Sequence, residues 1–214
     1  MCIALIDQLV PAENNELLNR LANAFVYPLG FIICIMSGLQ LFTEQTATAL
    51  YPVLDQKNSI KSLLALWGIV LVGNFTGTFL GSVLLYLADP VIGAGVGFVE
   101  VSERLFHFSA FEVFISAILA GWLMAQGGWL ILSTASASSQ IIFIYIATFI
   151  IGFGGLHHSI AGSAEIFSAL LHSENPNIFG AARFLLSAVV GNIIGGGFFV
   201  AILNYGHIRK TESQ

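Results

Sequence analysis

The sequence predicts an all-α integral membrane protein with two helices broken inside the bilayer. Three observations predict it. Of the 214 residues, 57% are hydrophobic and only 9% charged, against about 25% charged in soluble domains. The apolar runs are long enough for helical spans of about 20 residues and lack the alternation of membrane barrel strands. Two of the runs are interrupted, at Gly38–Thr46 and at Gly152–Glu165. Irregular backbone at membrane depth is tolerated only where protein buries it or where it lines a cavity.

The same composition excludes other classes. Net charge is -5 with no basic tract, which leaves no nucleic-acid partner to propose. Cys2 and Cys34 lie in or beside apolar runs, so neither a disulfide framework nor a metal site is expected. The first residues lack a basic region and a small-residue cleavage site, so no cleavable signal peptide is expected.

Residues 1–10 are apolar but too short to span and look like the last turns of a helix. Pro11–Arg20 reads as a polar loop. Leu21–Leu54 is longer than one span needs and is polar in its middle, which predicts the first broken helix. Asp55–Ser62 is a hydrophilic turn, Leu63–Ala88 a clean span ended by Asp89-Pro90, and residues 91–110 an interfacial helix and loop. A span at 111–133, a turn at Ser133–Ser139, the second broken helix at 140–172, a loop at His172–Asn177, a span at 181–204 and a polar tail complete the chain.

Val72-Gly-Asn-Phe-Thr-Gly77 in the first clean span recurs as Val190-Gly-Asn-Ile-Ile-Gly195 in the last, and an over-long, interrupted run precedes each. The order broken helix, then Gly-Asn helix, therefore occurs twice. With an odd number of spans per unit, the two units are inverted, and paired interrupted segments point to a substrate site near the midplane. The expected organisation is a single transmembrane domain over 1–214, with repeat one at 1–90, repeat two at 110–205, a connecting interfacial segment at 91–109 and a tail at 206–214. Lys57, Lys61, Arg209 and Lys210 against Arg20, Arg104 and Arg183 give a weak positive-inside bias that places the C-terminus in the cytoplasm.

These residues resemble the formate/nitrite transporter family. The first break carries Leu41-Phe42-Thr43, the second His158-Ser159-Ile160-Ala161, and the clean spans Gly73-Asn74 and Gly191-Asn192. The resemblance covers essentially the whole chain, except that only the end of a first helix is present, as an upstream start or a truncated product would give. It implies an aquaporin-like fold of three plus three helices, a homopentamer with one pore per protomer, a bacterial inner-membrane location and no cofactor. It implies transport of small monovalent weak-acid anions such as formate or nitrite, and no enzymatic activity. The chain departs from the family pattern at His157, where an acidic residue is usual, at Gly162 and Gly121, where Asn is usual, at Ile151, a constriction aromatic, and at Glu44, a glycine.

By that resemblance His158 sits mid-pathway within reach of Thr43, and its protonation can follow substrate occupancy. Leu41 and Phe42 form an apolar gate. His157, Ser159, Glu44 and Glu165 complete the expected pathway, the two carboxylates serving proton coupling or pairing with amides freed at the breaks. Asn74 and Asn192 are expected to satisfy freed backbone groups, and Gly73, Gly152, Gly154, Gly155 and Gly191 to break or closely pack the helices. Each has a plainer reading: His158 as a structural histidine, His157 and the gate residues as packing. The alternatives in function are a facilitator of a neutral solute or cation on the same scaffold, an inactive truncated product, and an intramembrane metalloenzyme using His157, His158 and Glu165. Adjacent histidines suit one metal poorly, and the His-Glu-x-x-His spacing is absent.

Overall fold

The structure, a computed structural model, describes residues 1–203 and Tyr205. The predicted tail, with Arg209 and Lys210, lies outside the described residues. The helices are α1 (Cys2–Leu9), α2 (Glu16–Met36), α3 (Phe42–Thr48), α4 (Tyr51–Leu54), α5 (Ile60–Leu87), α6 (Asp89–Ile92), α7 (Gly95–His107), α8 (Ala110–Leu132), α9 (Ala137–Phe153), α10 (Ser159–His172) and α11 (Ile178–Ile194). The last continues through π-helical turns at Gly195–Ile202. Among the described residues, four helices are long and apolar enough to cross a membrane: Glu16–Met36, Ile60–Leu87, Ala110–Leu132 and Ile178–Ile202.

Short polar side chains decide where the long helices start. Asn15, Ser59, Ser109, Ser136 and Asn177 each accept a hydrogen bond from an amide of the first turn they precede, satisfying a donor that has no intrahelical partner. Ser109 and Glu112 close a reciprocal capping box. Two expectations are corrected here. Pro11–Arg20 is not loop throughout: α2 begins at Glu16, and Glu16 pairs with Arg20 one turn on at 2.9 Å. The turn predicted at Ser133–Ser139 is shorter, because Ser136 caps α9. Polarity marked both stretches as loop, yet a helix's first turn is where exposed polar residues are well placed.

Helix α8 is central and packs on α11, α9 and α3. Its seam with α11 is a backbone contact. A Cβ added at Gly191 would lie 2.6 Å from Ala117 Cβ, and one at Gly121 would lie 2.5 Å from Asn192 Cα. Close approach of this kind is what small residues permit between membrane helices. Gly73 and Gly77 do not behave this way: a Cβ at either meets nothing within 4 Å. They sit on α5, of which only Leu63 and Ser82 are buried, so Gly73 packs closely on nothing among the described residues. An apolar cluster of Phe31, Leu41, Phe42, Ala120, Met124, Ile131, Ile144, Ile151 and Ile160 fills the space between the two breaks.

Candidate functional site

The two breaks are built by the same hydrogen bonds. At the first, the end of α2 is closed by Gly38 N–H to Ile35 O (3.0 Å) and Leu39 N–H to Cys34 O (3.2 Å), with Gly38 at φ 74°. At the second, α9 is closed by Gly155 N–H to Gly152 O (3.2 Å) and Leu156 N–H to Ile151 O (2.9 Å), with Gly155 at φ 61°. Both are Schellman closures, which need a residue in the left-handed region. Gly152 therefore belongs to the last turn of α9 and not to the break itself, which runs from Gly154 to His158.

An asparagine then restarts each helix. Phe42 N–H donates to Asn74 Oδ1 (2.8 Å), and Asn74 Nδ2–H donates to Gln40 O (3.0 Å). Ser159 N–H donates to Asn192 Oδ1 (2.8 Å), and Asn192 Nδ2–H donates to His157 O (3.2 Å) and Ala117 O (2.8 Å). Inside the new helices the Thr46 hydroxyl donates to Thr43 O, as the Ser163 hydroxyl does to Ile160 O, both at 2.7 Å. The Gly-Asn motif is the splint that gives the first amide of each restarted helix an acceptor.

The breaks differ in the residue before each restarted helix, Leu41 in one and His158 in the other. Leu41 offers no side-chain cap. His158 Nδ1 accepts from Ala161 N–H at 3.1 Å, and its Nε2 lies 2.7 Å from Thr43 Oγ1. A ring nitrogen that accepts an amide carries no proton, so in the neutral ring Nε2–H donates to the threonine. His158 is 2% exposed, Thr43 is fully buried, and Phe31 stands edge-on to the imidazole at 5.0 Å. The second break is thus locked to the first through one side-chain pair.

A cavity of about 760 Å³ reaches His158 from the end of the molecule that carries Arg20 and Arg104, and its wall includes His157, His158, Leu156 and Glu165. Beyond His158 stands the apolar cluster with Phe31, Leu41 and Phe42, the last 1% exposed. Of the other expected residues, Ser159 is buried, its hydroxyl without a hydrogen-bond partner among the described residues. Glu44 is outside the cavity, laid against α8 so that a Cβ at Gly128 would meet its Cγ at 2.7 Å. Neither Glu44 nor Glu165 makes a side-chain hydrogen bond among the described residues, so neither pairs with the amides at the breaks.

The departures from the family pattern have local causes. Gly162 leaves room for the Phe184 ring, which a Cβ there would meet at 2.6 Å. Gly121 leaves room for the Asn192 backbone. Sequence reasoning missed a polar cluster on the cavity side. The Asp7 carboxylate is buried, accepts from Asn19 Nδ2 (2.7 Å) and Asn23 Nδ2 (2.9 Å), and pairs with Arg104. The signal was present: Asn19 and Asn23 fall on one face of α2, one turn apart, and Asp7 interrupts an apolar run.

A family model described as formate/nitrite transporter matches residues 1–206. The chain belongs to the formate/nitrite transporter family. It is a multi-pass membrane protein, as members of this family of membrane transporters are. It is 34% identical to the inner membrane protein YfdC of Escherichia coli strain K12 over 88% of this chain, and it spans only 61% of that relative's length. It is 26% identical to the formate channel FocA of the same strain, over 91% of this chain and 76% of FocA. Among solved structures, an ion channel of the family superposes with a TM-score of 0.84 at 19% identity, covering 96% of this chain and 83% of that one. A pentameric formate channel with formate bound superposes at 0.76 and 20% identity, covering 97% and 90%. At such identities the likeness is one of fold.

Proposed function

We propose that this protein is a channel or proton-coupled transporter for small monovalent weak-acid anions of the formate and nitrite type, with His158 handling the proton. On this reading the chain is an aquaporin-like inverted repeat, α5 and α11 being the Gly-Asn helices of its two halves. It works as a homopentamer in a bacterial inner membrane, with Lys57 and Lys61 on the cytoplasmic side and the cavity opening to the other. The observation that carries the reading is the buried His158–Thr43 pair, 2.7 Å apart and joining the two breaks, with His158 in the wall of the cavity.

The chemistry follows from the two ring nitrogens. Taking up a proton converts Nδ1 from acceptor to donor and releases the Ala161 amide, at a cost of one capping bond, about 1 kcal/mol. The imidazolium can then give its proton to an arriving anion, and the neutral acid crosses the apolar cluster of Phe31, Leu41 and Phe42 far more cheaply than a charge does. Uptake of labelled formate and nitrite into proteoliposomes tests this, with His158→Phe alongside. The variant is expected to lose flux or its pH dependence; flux unchanged in both respects rejects the mechanism.

A second reading, a facilitator of a neutral solute or cation, is favoured by Glu165, which stands in the cavity wall without a side-chain hydrogen bond among the described residues while Arg104 is engaged by Asp7. Flux of glycerol or ammonium exceeding that of formate in the same vesicles selects it.

A further inference from the structure

His158 has no nitrogen to spare, but its neighbour has two. No hydrogen bond reaches either ring nitrogen of His157 among the described residues, and its Nδ1 is buried without a partner. The residue is 5% exposed, and its ring lies in the cavity wall. Buried polar atoms in folded proteins almost always have partners, and an orphan asks for an explanation.

The backbone around His157 is held from two sides. Its N–H donates to Ser116 Oγ (3.1 Å) and its carbonyl accepts from Asn192 Nδ2 (3.2 Å). Its ring is fixed edge-on between Phe108 (5.2 Å) and Phe184 (5.4 Å). Gly162 makes the room that Phe184 occupies. The equivalent position in the first break is Gln40, whose carbonyl is pinned by Asn74 in the same way but whose side-chain oxygen is already used by Gln45. The imidazole is therefore rigidly placed, walled by two aromatic rings, and unspent.

We propose that His157 is the residue that recognises the substrate at the cavity floor, its Nε2, the one ring nitrogen not sealed from the cavity, hydrogen-bonding a small carboxylic acid or carboxylate before that molecule meets Leu156 and Phe31. This rests on the weak-acid reading above and adds where selection occurs. The aromatic rings hold the imidazole in place, and its Nε2 can act as donor or acceptor according to the tautomer, so it serves both the acid and its anion. An acidic side chain at this position, as the family pattern has, serves the anion less well.

The test has two arms. In proteoliposomes, His157→Phe, which keeps a planar ring and removes both nitrogens, is expected to lower formate uptake below saturation about tenfold, as one lost hydrogen bond does, chiefly through KM. His157→Gln, which keeps a donor and an acceptor, is expected to fall between. In wild-type protein labelled with ¹⁵N-histidine, sodium formate is expected to shift the signals that are missing from the His157→Gln spectrum. Wild-type flux with undiminished uptake by His157→Phe overturns the proposal and leaves the weak-acid reading intact. Lost flux without movement of the ¹⁵N signals assigns the residue to packing and also overturns it. Shifted signals without wild-type flux support the binding site and reject the transport reading, whereas neither shift nor flux rejects both.

Discussion

Replacing Asn192 with Leu keeps the side-chain volume and removes every polar atom that joins α11 to the second break. Three bonds go: from Ser159 N–H at 2.8 Å, to Ala117 O at 2.8 Å and to His157 O at 3.2 Å. The residue is fully buried, so no water replaces them. The Ser159 amide is left with no acceptor, while Ala117 O, inside α8, keeps its helical bond. Counting about 1–3 kcal/mol for each group left unsatisfied, the change costs about 3–5 kcal/mol, at the upper end of single substitutions. Asn74→Leu is the internal control. It breaks two bonds rather than three, at a site only partly buried, and is expected to cost about 2 kcal/mol. Denaturant unfolding in detergent, read through the fluorescence of the 3 tryptophans, measures both. An Asn192→Leu protein within about 1 kcal/mol of wild type, or one less perturbed than Asn74→Leu, would refute the view that these asparagines splint the breaks.

Three further changes are read in the same unfolding assay. Gly155→Ala forces a Cβ into the left-handed region and should cost about 1–2 kcal/mol, whereas Gly73→Ala, with nothing within 4 Å of its Cβ, should leave protomer stability within about 0.5 kcal/mol. Asp7→Ala takes one acceptor each from Asn19, which keeps Val10 O at 2.7 Å, and Asn23, which keeps Asn19 Oδ1 at 3.2 Å, and frees Arg104, which is 46% exposed and can turn to water; a loss of about 1–2 kcal/mol is expected. Gly162→Asn drives a side chain into Phe184 and should cost about 1–3 kcal/mol by overpacking, less in a Phe184→Leu background, so the two sites should couple in a double-mutant cycle.

Much of this architecture is legible in the sequence because the bilayer narrows the choices. A glycine-rich polar island within an apolar run can be little other than broken backbone in a buried place, and Gly38 and Gly155 are where the helices close. The Gly-Asn recurrence located both splints. Helix termini are less legible. Asn15 and Ser136 each cap the helix that follows, yet their polarity looked like loop. The Asp7 cluster was hidden for another reason: its members come from α1, α2 and α7, so only the fold brings them together. The destination of Glu44 was equally out of reach, since the space it occupies is made by a missing side chain at Gly128 on α8.

The repeat also explains where chemistry can reside. Two segments closed by the same Schellman bonds and restarted by the same asparagine pair give two backbones that differ little, so function must lie in side chains that break the correspondence. Leu41 answers to His158: an apolar cap against one that accepts an amide and holds Thr43 across the gap. Gln40 answers to His157: a side chain already bonded to Gln45 against one whose ring nitrogens have no hydrogen bond among the described residues. Both departures put imidazole in the second break, beside the cavity, where the first has an apolar Leu41 and an amide side chain already bonded. The asymmetry suits a pathway in which a guest is recognised and protonated on one side of a barrier that it then crosses uncharged. The same reasoning makes the backbone splints and the two histidines separable by experiment, because losing a splint acts on unfolding free energy while losing an imidazole acts on flux.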